Sequence, residues 1–403
     1  MKAMERLLHY IGILTPSDEK SETHPSSACE FHLAEELVRE LQALGVSDAF
    51  VDEHCYVYGH IPATEGKEDC PAIGLIAHMD TVSDFCEHTP NPQVIPDYDG
   101  GDVKLGESGR VLRVSDFPHL RSLAGQTLIT TDGTTILGSD DKSGIAEIMT
   151  AVERLSEVPH GPVCVAFTPD EEIGRGTDDF QTDVFGAKYA FTLDGEAVGE
   201  VQYECFNAAS ATAKFHGNNV HPGSAKGVMV NATLVAMEYN EMLPKVRRPE
   251  YTSDYEGFIH LTEMEGSVAE ATLQYILREH DKEILWGMKE DMALSAKYIN
   301  EKYGDGTMEL DLQDQYQNMA YILEDYPEVM EVARKACENL EIEPISVPIR
   351  GATDGAILSF QGLPCPNLGT GGYAFHGPYE HATAEGLDQM VEVVLEILRI
   401  FAE

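Results

Sequence analysis

Apolar and polar positions follow two rhythms along this chain, and the change between them marks its organisation. The opening residues keep a helical period. MKAMERLLHYIGIL is amphipathic, with Glu5 and His9 interrupting the apolar positions, and a second helix from about Ser27 ends at Gly45, a suitable left-handed cap. Unbroken apolar runs then take over. AIGLIAHMD (72–80), PVCVAFTPDEE (162–172) and KYAFTLDGE (188–196) each run from apolar into polar residues, as buried parallel strands do. SGIAEIMTAVERLSE (143–157) has helical spacing, so strand, helix and strand follow one another. That order predicts an α/β fold with a mostly parallel sheet. Residues 84–126, rich in Pro, Gly and Asp, read as a long surface excursion. TLITTDGTTILG (127–138) reads as a hairpin turning at Asp132-Gly133.

From residue 206 the texture becomes α+β. A helix over about 228–242 is followed by two strands turning at Glu265-Gly266, a long helix over about 281–302, and the strand TMELDLQDQY. After residue 319 the first rhythm returns, with a helix, the strand ISVPIR, another helix and a last helix from Ala384. The chain is therefore read as a larger domain in two parts, 1–205 and 319–403, interrupted by a smaller inserted α+β domain at 206–318.

Charge narrows the possible partners. With 27 Lys+Arg against 70 Asp+Glu, the formal net charge is −43. Such a field repels phosphate backbones and anionic membrane surfaces, so neither nucleic acid nor membrane is an expected partner. No run of about 18 apolar residues occurs, and the start has the pattern of an amphipathic helix rather than a signal peptide. The eight cysteines are scattered with no CxxC pair, which fits reduced thiols and a cytoplasmic location.

Candidate chemistry collects where apolar runs end: His78-Met79-Asp80, Asp140-Asp141, Asp170-Glu171-Glu172 and Asp194. Each motif alone occurs by chance. Their shared position at strand ends, where open α/β sheets gather ligands, gives them weight. Carboxylates there are costly to bury unpaired, and a cation is the simplest partner. Zinc accepts imidazole nitrogen and carboxylate oxygen, and His-x-Asp supplies a ligand with an acid behind it to orient the ring. Paired glutamates supply one carboxylate for metal and one for a proton. The glycine-rich GTGGY (369–373) lacks the Lys-Ser/Thr of a phosphate loop and reads as a turn delivering His376.

IAHMDTV, LGSDDKSGIAEI, FTPDEEIGRGTDDF, TLDG, GNNVHPGSAKGVMVNA and IRGATDGAILSFQGLPCPNLGTGGYAFHG occur in that order. Together they resemble the tripeptide aminopeptidases of the dinuclear-zinc exopeptidase family that includes carboxypeptidase G and aminoacylase. The resemblance covers nearly the whole chain. It implies a zinc-exopeptidase catalytic domain with the inserted domain as a lid, and two Zn²⁺ per chain. His78 and Asp194 would bind one ion, Glu172 and His376 the other, and Asp140 would bridge them, with a cis bond to Asp141. Asp80 would stand behind His78. Glu171 would be the general base, with a metal-bridging water as nucleophile. His221 would reach the scissile carbonyl as an oxyanion donor. Arg278 and Arg350 are candidates for the substrate carboxylate, and Asn218 or Asn219 for its backbone. Small peptides, chiefly tripeptides, would bind between the domains, and relatives suggest a possible homodimer. Competing readings are a dipeptidase, carboxypeptidase or N-acyl-amino-acid hydrolase of the same family, or a non-catalytic metal-binding protein. The Glu171-Glu172 pair argues against the last, since storage needs no free carboxylate beside the metal.

Overall fold

A computed structural model describes residues 1–403, and the chain divides into two compact units. The first comprises residues 1–203, 319–347 and 353–403; the second comprises 204–318 and 348–352.

The first unit is built on a seven-stranded mixed sheet. Its centre is four parallel strands in the order Val163–Thr168, Ile73–His78, Tyr189–Gly195 and Asn367–Gly369. The first two are buried at every position, which is why they read as unbroken apolar runs. Antiparallel strands close both edges: Val57–Ile61 and Phe50–Val51 on one side, Val201–Gln202 on the other. The helix Ser139–Arg154 packs on the sheet, buried continuously from Ser139 to Val152, between Ala3–Tyr10 and Ala384–Phe401. Small residues let it lie close. A Cβ on Gly144 would meet the Leu193 carbonyl oxygen at 2.1 Å. Tyr56, Tyr58, Phe180, Phe185, Leu358 and Leu363 belong to a separate core cluster with Ile76 and Ala190. No helix is long and apolar enough to cross a membrane.

Three local expectations are corrected. Residues 127–138 form no hairpin. Only Leu128–Thr130 is a strand, and it pairs with Gln93–Ile95 and His381–Thr383. The turn at Asp132-Gly133 exists, but the chain beyond it is claimed elsewhere: Ile136 N–H donates to Phe85 O, and Leu137 N–H to Glu380. ISVPIR is not a strand either. Pro348 has no N–H to give, and only isolated bridges form, Ile345 with Glu200 and Ile349 with Cys205. The excursion at 84–126 is more ordered than its composition suggests. It contains the hairpin Val103–Leu105 with Arg110–Leu112 and its own core of Tyr98, Leu105, Leu112, Leu120 and Leu123.

The second unit is a four-stranded antiparallel sheet in the order Phe258–Gly266, Glu270–Glu279, Asn207–His216, Met308–Tyr316. The turn between the first two lies at 267–269, slightly beyond the expected Glu265-Gly266. Ala209, Ala211, Ala213 and Phe215 alternate inward, meeting the helices Ala232–Met242 and Lys282–Tyr303.

Gly144→Ala should destabilise the first unit by about 1–3 kcal/mol, because the new methyl meets backbone that cannot rotate away. Chemical denaturation checks this, and an unchanged unfolding midpoint would show that helix and sheet separate freely at this point.

Candidate metal and catalytic site

The site lies in the first unit, at the carboxyl ends of its parallel strands. His78 closes its strand opposite Thr168 in register, and Asp170, Glu171 and Glu172 follow Thr168 after the single residue Pro169. Asp194 is the penultimate residue of the neighbouring strand, Tyr189–Gly195. Asp140 enters at the head of the buried helix, where its bond to Asp141 is cis and its φ/ψ are non-helical.

Asp140 stands between two imidazoles. His78 Nε2 lies 3.0 Å from its Oδ1, and His376 Nε2 lies 3.0 Å from its Oδ2. Asp194 Oδ1 is 3.5 Å from the same nitrogen of His78, and Glu172 Oε2 is 3.0 Å from that of His376. Each imidazole therefore faces two carboxylates, and one carboxylate serves both. Donor atoms of His78, Asp140 and Glu172 lie within 4.8 Å of one another, as do those of His78, Glu171 and Asp194.

Asp80 organises the site from behind. It is fully buried, and its Oδ1 lies 3.3 Å from His78 Nδ1. It also accepts the N–H of Glu171 at 2.9 Å and of Glu172 at 3.2 Å. Asp141 works in the same way. Its carboxylate takes the N–H of His78 at 3.2 Å and of Gly144 at 3.1 Å, joining the strand end to the first helical turn.

Electrostatics follow from burial and from this crowding. Burial raises Asp194 and Glu172 to about 7, against the pull of the imidazoles. Burial also pushes Glu171 well above the carboxylate range, and the Asp194 charge adds to it. Asp140 goes the other way, because His376 and His78 outweigh its burial. Hydrogen bonds to Asp140 and Glu172 lift His376 to about 11. All ion pairs of this cluster are with imidazole. Lys142, next along the chain, donates instead to Ile13 O at 2.7 Å. An N/O donor set with this excess of carboxylate, buried except at the exposed His376 ring, suits divalent metals that take imidazole and carboxylate, so the residues fit a metal pair.

Two buried acids escaped the reading of the motifs. Glu380 accepts the N–H groups of Leu137, Gly138 and Asp140 at 2.7–2.9 Å, clasping the loop that presents Asp140. Asp354 accepts Thr168 Oγ–H at 2.7 Å and is pushed up to about 7 by burial. Gly176 makes room for it, since a Cβ there would meet its Oδ1 at 2.2 Å. The available signal was an acid inside an otherwise apolar or turn-forming stretch, YEHA and ATDGAIL.

The substrate candidates all lie in the second unit. Arg350 Nη1 donates to Asp254 O and Glu256 O, Nη2 to Thr252 Oγ1, and the guanidinium stacks on Phe206 and Phe258. Arg278 Nη1 donates to Ala209 O, Leu277 O and Gln315, and stacks on Tyr316. Both arginines are thus engaged within their own unit. Asn218 Nδ2 donates to Val228 O, and His221 Nδ1 accepts Gly223 N–H. Asn218, Asn219 and His221 are exposed.

An α/β sheet with an imidazole–carboxylate centre at its strand ends fits a metallohydrolase. Comparison makes this specific. Residues 133–400 match the peptidase family M20/M25/M40. A peptidase T from Caldanaerobacter subterraneus subsp. tengcongensis is 49% identical over 406 residues, covering 100% of this chain and 99% of that one. The solved aminopeptidase PepT of Bacillus cereus superposes with a TM-score of 0.76 at 22% identity, over 100% and 98% of the two chains. A dinuclear metal-binding peptidase of the same family from Bacillus subtilis gives a TM-score of 0.60 at 16% identity, over 99% and 98%. The chain belongs to peptidase family M20/M25/M40, and it is a peptide hydrolase.

Glu380→Leu should lower zinc affinity about 10–100-fold, the usual worth of an outer partner that orients a ligand. Competition with a chelating dye measures it. Unchanged affinity in a folded variant would show that Asp140 is held without this clasp.

Proposed function

We propose that the enzyme is a dinuclear zinc aminopeptidase that releases the N-terminal residue of tripeptides. The observation that carries the reading is Asp140, whose two oxygens face two different imidazoles at the strand ends. His78, Asp140 and Asp194 would hold one ion, and Asp140, Glu172 and His376 the other. Bound there, the pair supplies a Lewis acid for the scissile carbonyl and a water that ionises near neutral pH. The residues of the chain do the rest. Asp80 fixes the ring of His78 and the backbone of both glutamates, so ligands and base move as one body. Glu171, held beside His78 and Asp194, takes the proton of the attacking water as a carboxylate and returns it to the leaving amine.

Similarity to peptidase T over the full chain supports the tripeptide preference. A cation two residues beyond the scissile bond would meet the carboxylate of a tripeptide and only a neutral amide in a longer chain. Arg350 is the first candidate for that role and Arg278 the second. In this structure Arg350 also holds the 252–256 loop, so the two roles need separating.

Removing metal should abolish activity, and about two zinc ions per chain should restore it. Glu171→Gln should keep both ions and lose about 10²–10⁴ in kcat. Glu172→Gln should weaken one ion. Full activity in metal-free protein ends the reading, and zinc loss in the Glu171 variant alone reverses the two roles.

Arg350→Ala should raise KM for free tripeptides by about 10–100-fold and leave amidated tripeptides, already poor substrates, little changed. Steady-state kinetics on a panel of di-, tri- and tetrapeptides with product identification checks both the length preference and the end that is released. Equal losses on free and amidated peptides would assign Arg350 to the loop alone.

A further inference from the structure

Behind the two glutamates lies a corner of strained backbone with its own support. Asp170, the residue before Glu171, has a left-handed conformation, φ +55°, which a residue other than glycine keeps only when its surroundings hold it. Its N–H donates to Glu30 Oε2 at 3.2 Å. Its own Oδ2 accepts Ser26 N–H at 2.6 Å and lies 3.2 Å from His24 Nδ1. Glu30 and Asp170 are both 0% exposed.

The same stretch of chain reaches the other half of the site. Thr15 Oγ–H donates to Met79 O at 2.7 Å, Thr81 N–H to Thr15 O at 3.0 Å, and Ser17 N–H to Thr81 O at 3.1 Å. Residues 15–30 therefore tie together the loop carrying Asp80 and the corner carrying Glu171. Residues 15–30 precede the part of the chain that matches the family, 133–400.

We propose that Glu30 is a positioning residue for Glu171, its carboxyl oxygen accepting the Asp170 N–H and so setting the corner from which Glu171 and Glu172 project. The proposal rests on the reading of Glu171 as general base. Without that acceptor, the Asp170 amide is a buried donor with no partner and the left-handed corner loses its anchor. Asp80 then holds the next two amides on a backbone that no longer meets it squarely. What the site needs from Glu30 is an oxygen rather than a charge. Burial, and after it the charges of Asp80 and Asp170, raises its carboxyl far above the usual range, and what it gives the corner is one oxygen to one amide. A glutamine offers the same oxygen in the same place.

The test compares Glu30→Gln with Glu30→Met, which keeps the length and removes the acceptor. Two readouts are used: steady-state kinetics of the zinc-loaded enzyme on a tripeptide, and hydrogen exchange of the amides at 170–172. Glu30→Gln should match the native enzyme in both. Glu30→Met should lose about 10²-fold in kcat with little change in KM, as expected for a misplaced base, and the 170–172 amides should exchange faster. Equal losses in both variants, or none in either, would overturn the proposal. Unchanged exchange in Glu30→Met would overturn it as well. Should Glu30→Met fail to fold, Glu30→Gln decides: retained kcat and protection support the proposal, and loss of either overturns it. If the native enzyme cleaves no tripeptide, the tripeptide reading fails, and hydrogen exchange alone still decides the role of Glu30.

Discussion

The constraint on which this structure turns is the burial of many carboxylates around two imidazoles. Asp140 is shared by His78 and His376, with Asp194 and Glu172 completing the two sides and Asp80 behind. Burial raises Asp194 and Glu172 to about 7, with the neighbouring Asp140 charge adding to it. Such a cluster persists only where backbone donors or cations answer it. The loops of the first unit provide the donors. Asp80, Asp141, Glu380, Asp170 and Glu30 between them take the amides of His78, Gly144, Leu137, Gly138, Asp140, Ser26, Asp170, Glu171 and Glu172.

This use of acids as backbone clamps explains why the chemistry is concentrated at one end of the sheet. A strand that ends in a candidate ligand must stop at a definite residue. The strand Val163–Thr168 is followed at once by a corner whose direction is set by Asp80, Asp170 and Glu30. The buried helix Ser139–Arg154 begins in non-helical geometry because its first residues are drawn to His78 and Glu380 rather than into the helical ladder. Close packing supports this, with Gly144 against Leu193 and Gly176 against Asp354 leaving no space for a side chain. In the second unit the arginines do different work. Arg350 and Arg278 are spread over carbonyls and aromatic rings, which orders the 252–256 loop and the strand edge.

The part of the fold and site legible in the sequence was the part governed by local pattern. Ile73–His78, Val163–Thr168 and Tyr189–Gly195 announce themselves because a strand buried on both faces is apolar at every position and turns polar only where it emerges. That transition also marked His78, the Asp170-Glu171-Glu172 run and Asp194 as candidate chemistry, and peptidase family membership follows from the same blocks. What tertiary structure alone decided were pairings between distant residues. The stretch 127–138 has every local mark of a hairpin, yet strands 93–95 and 381–383 compete for its first half and Glu380 takes the amides of its second. Glu380, Asp354 and Glu30 carry no motif because they act through hydrogen bonds to residues 140 to 243 positions away. Their surroundings, not their neighbours in the chain, keep them buried. A pattern of period 2 or 3.6 records which face is covered, and it holds no record of which far-off amide a buried carboxyl must satisfy.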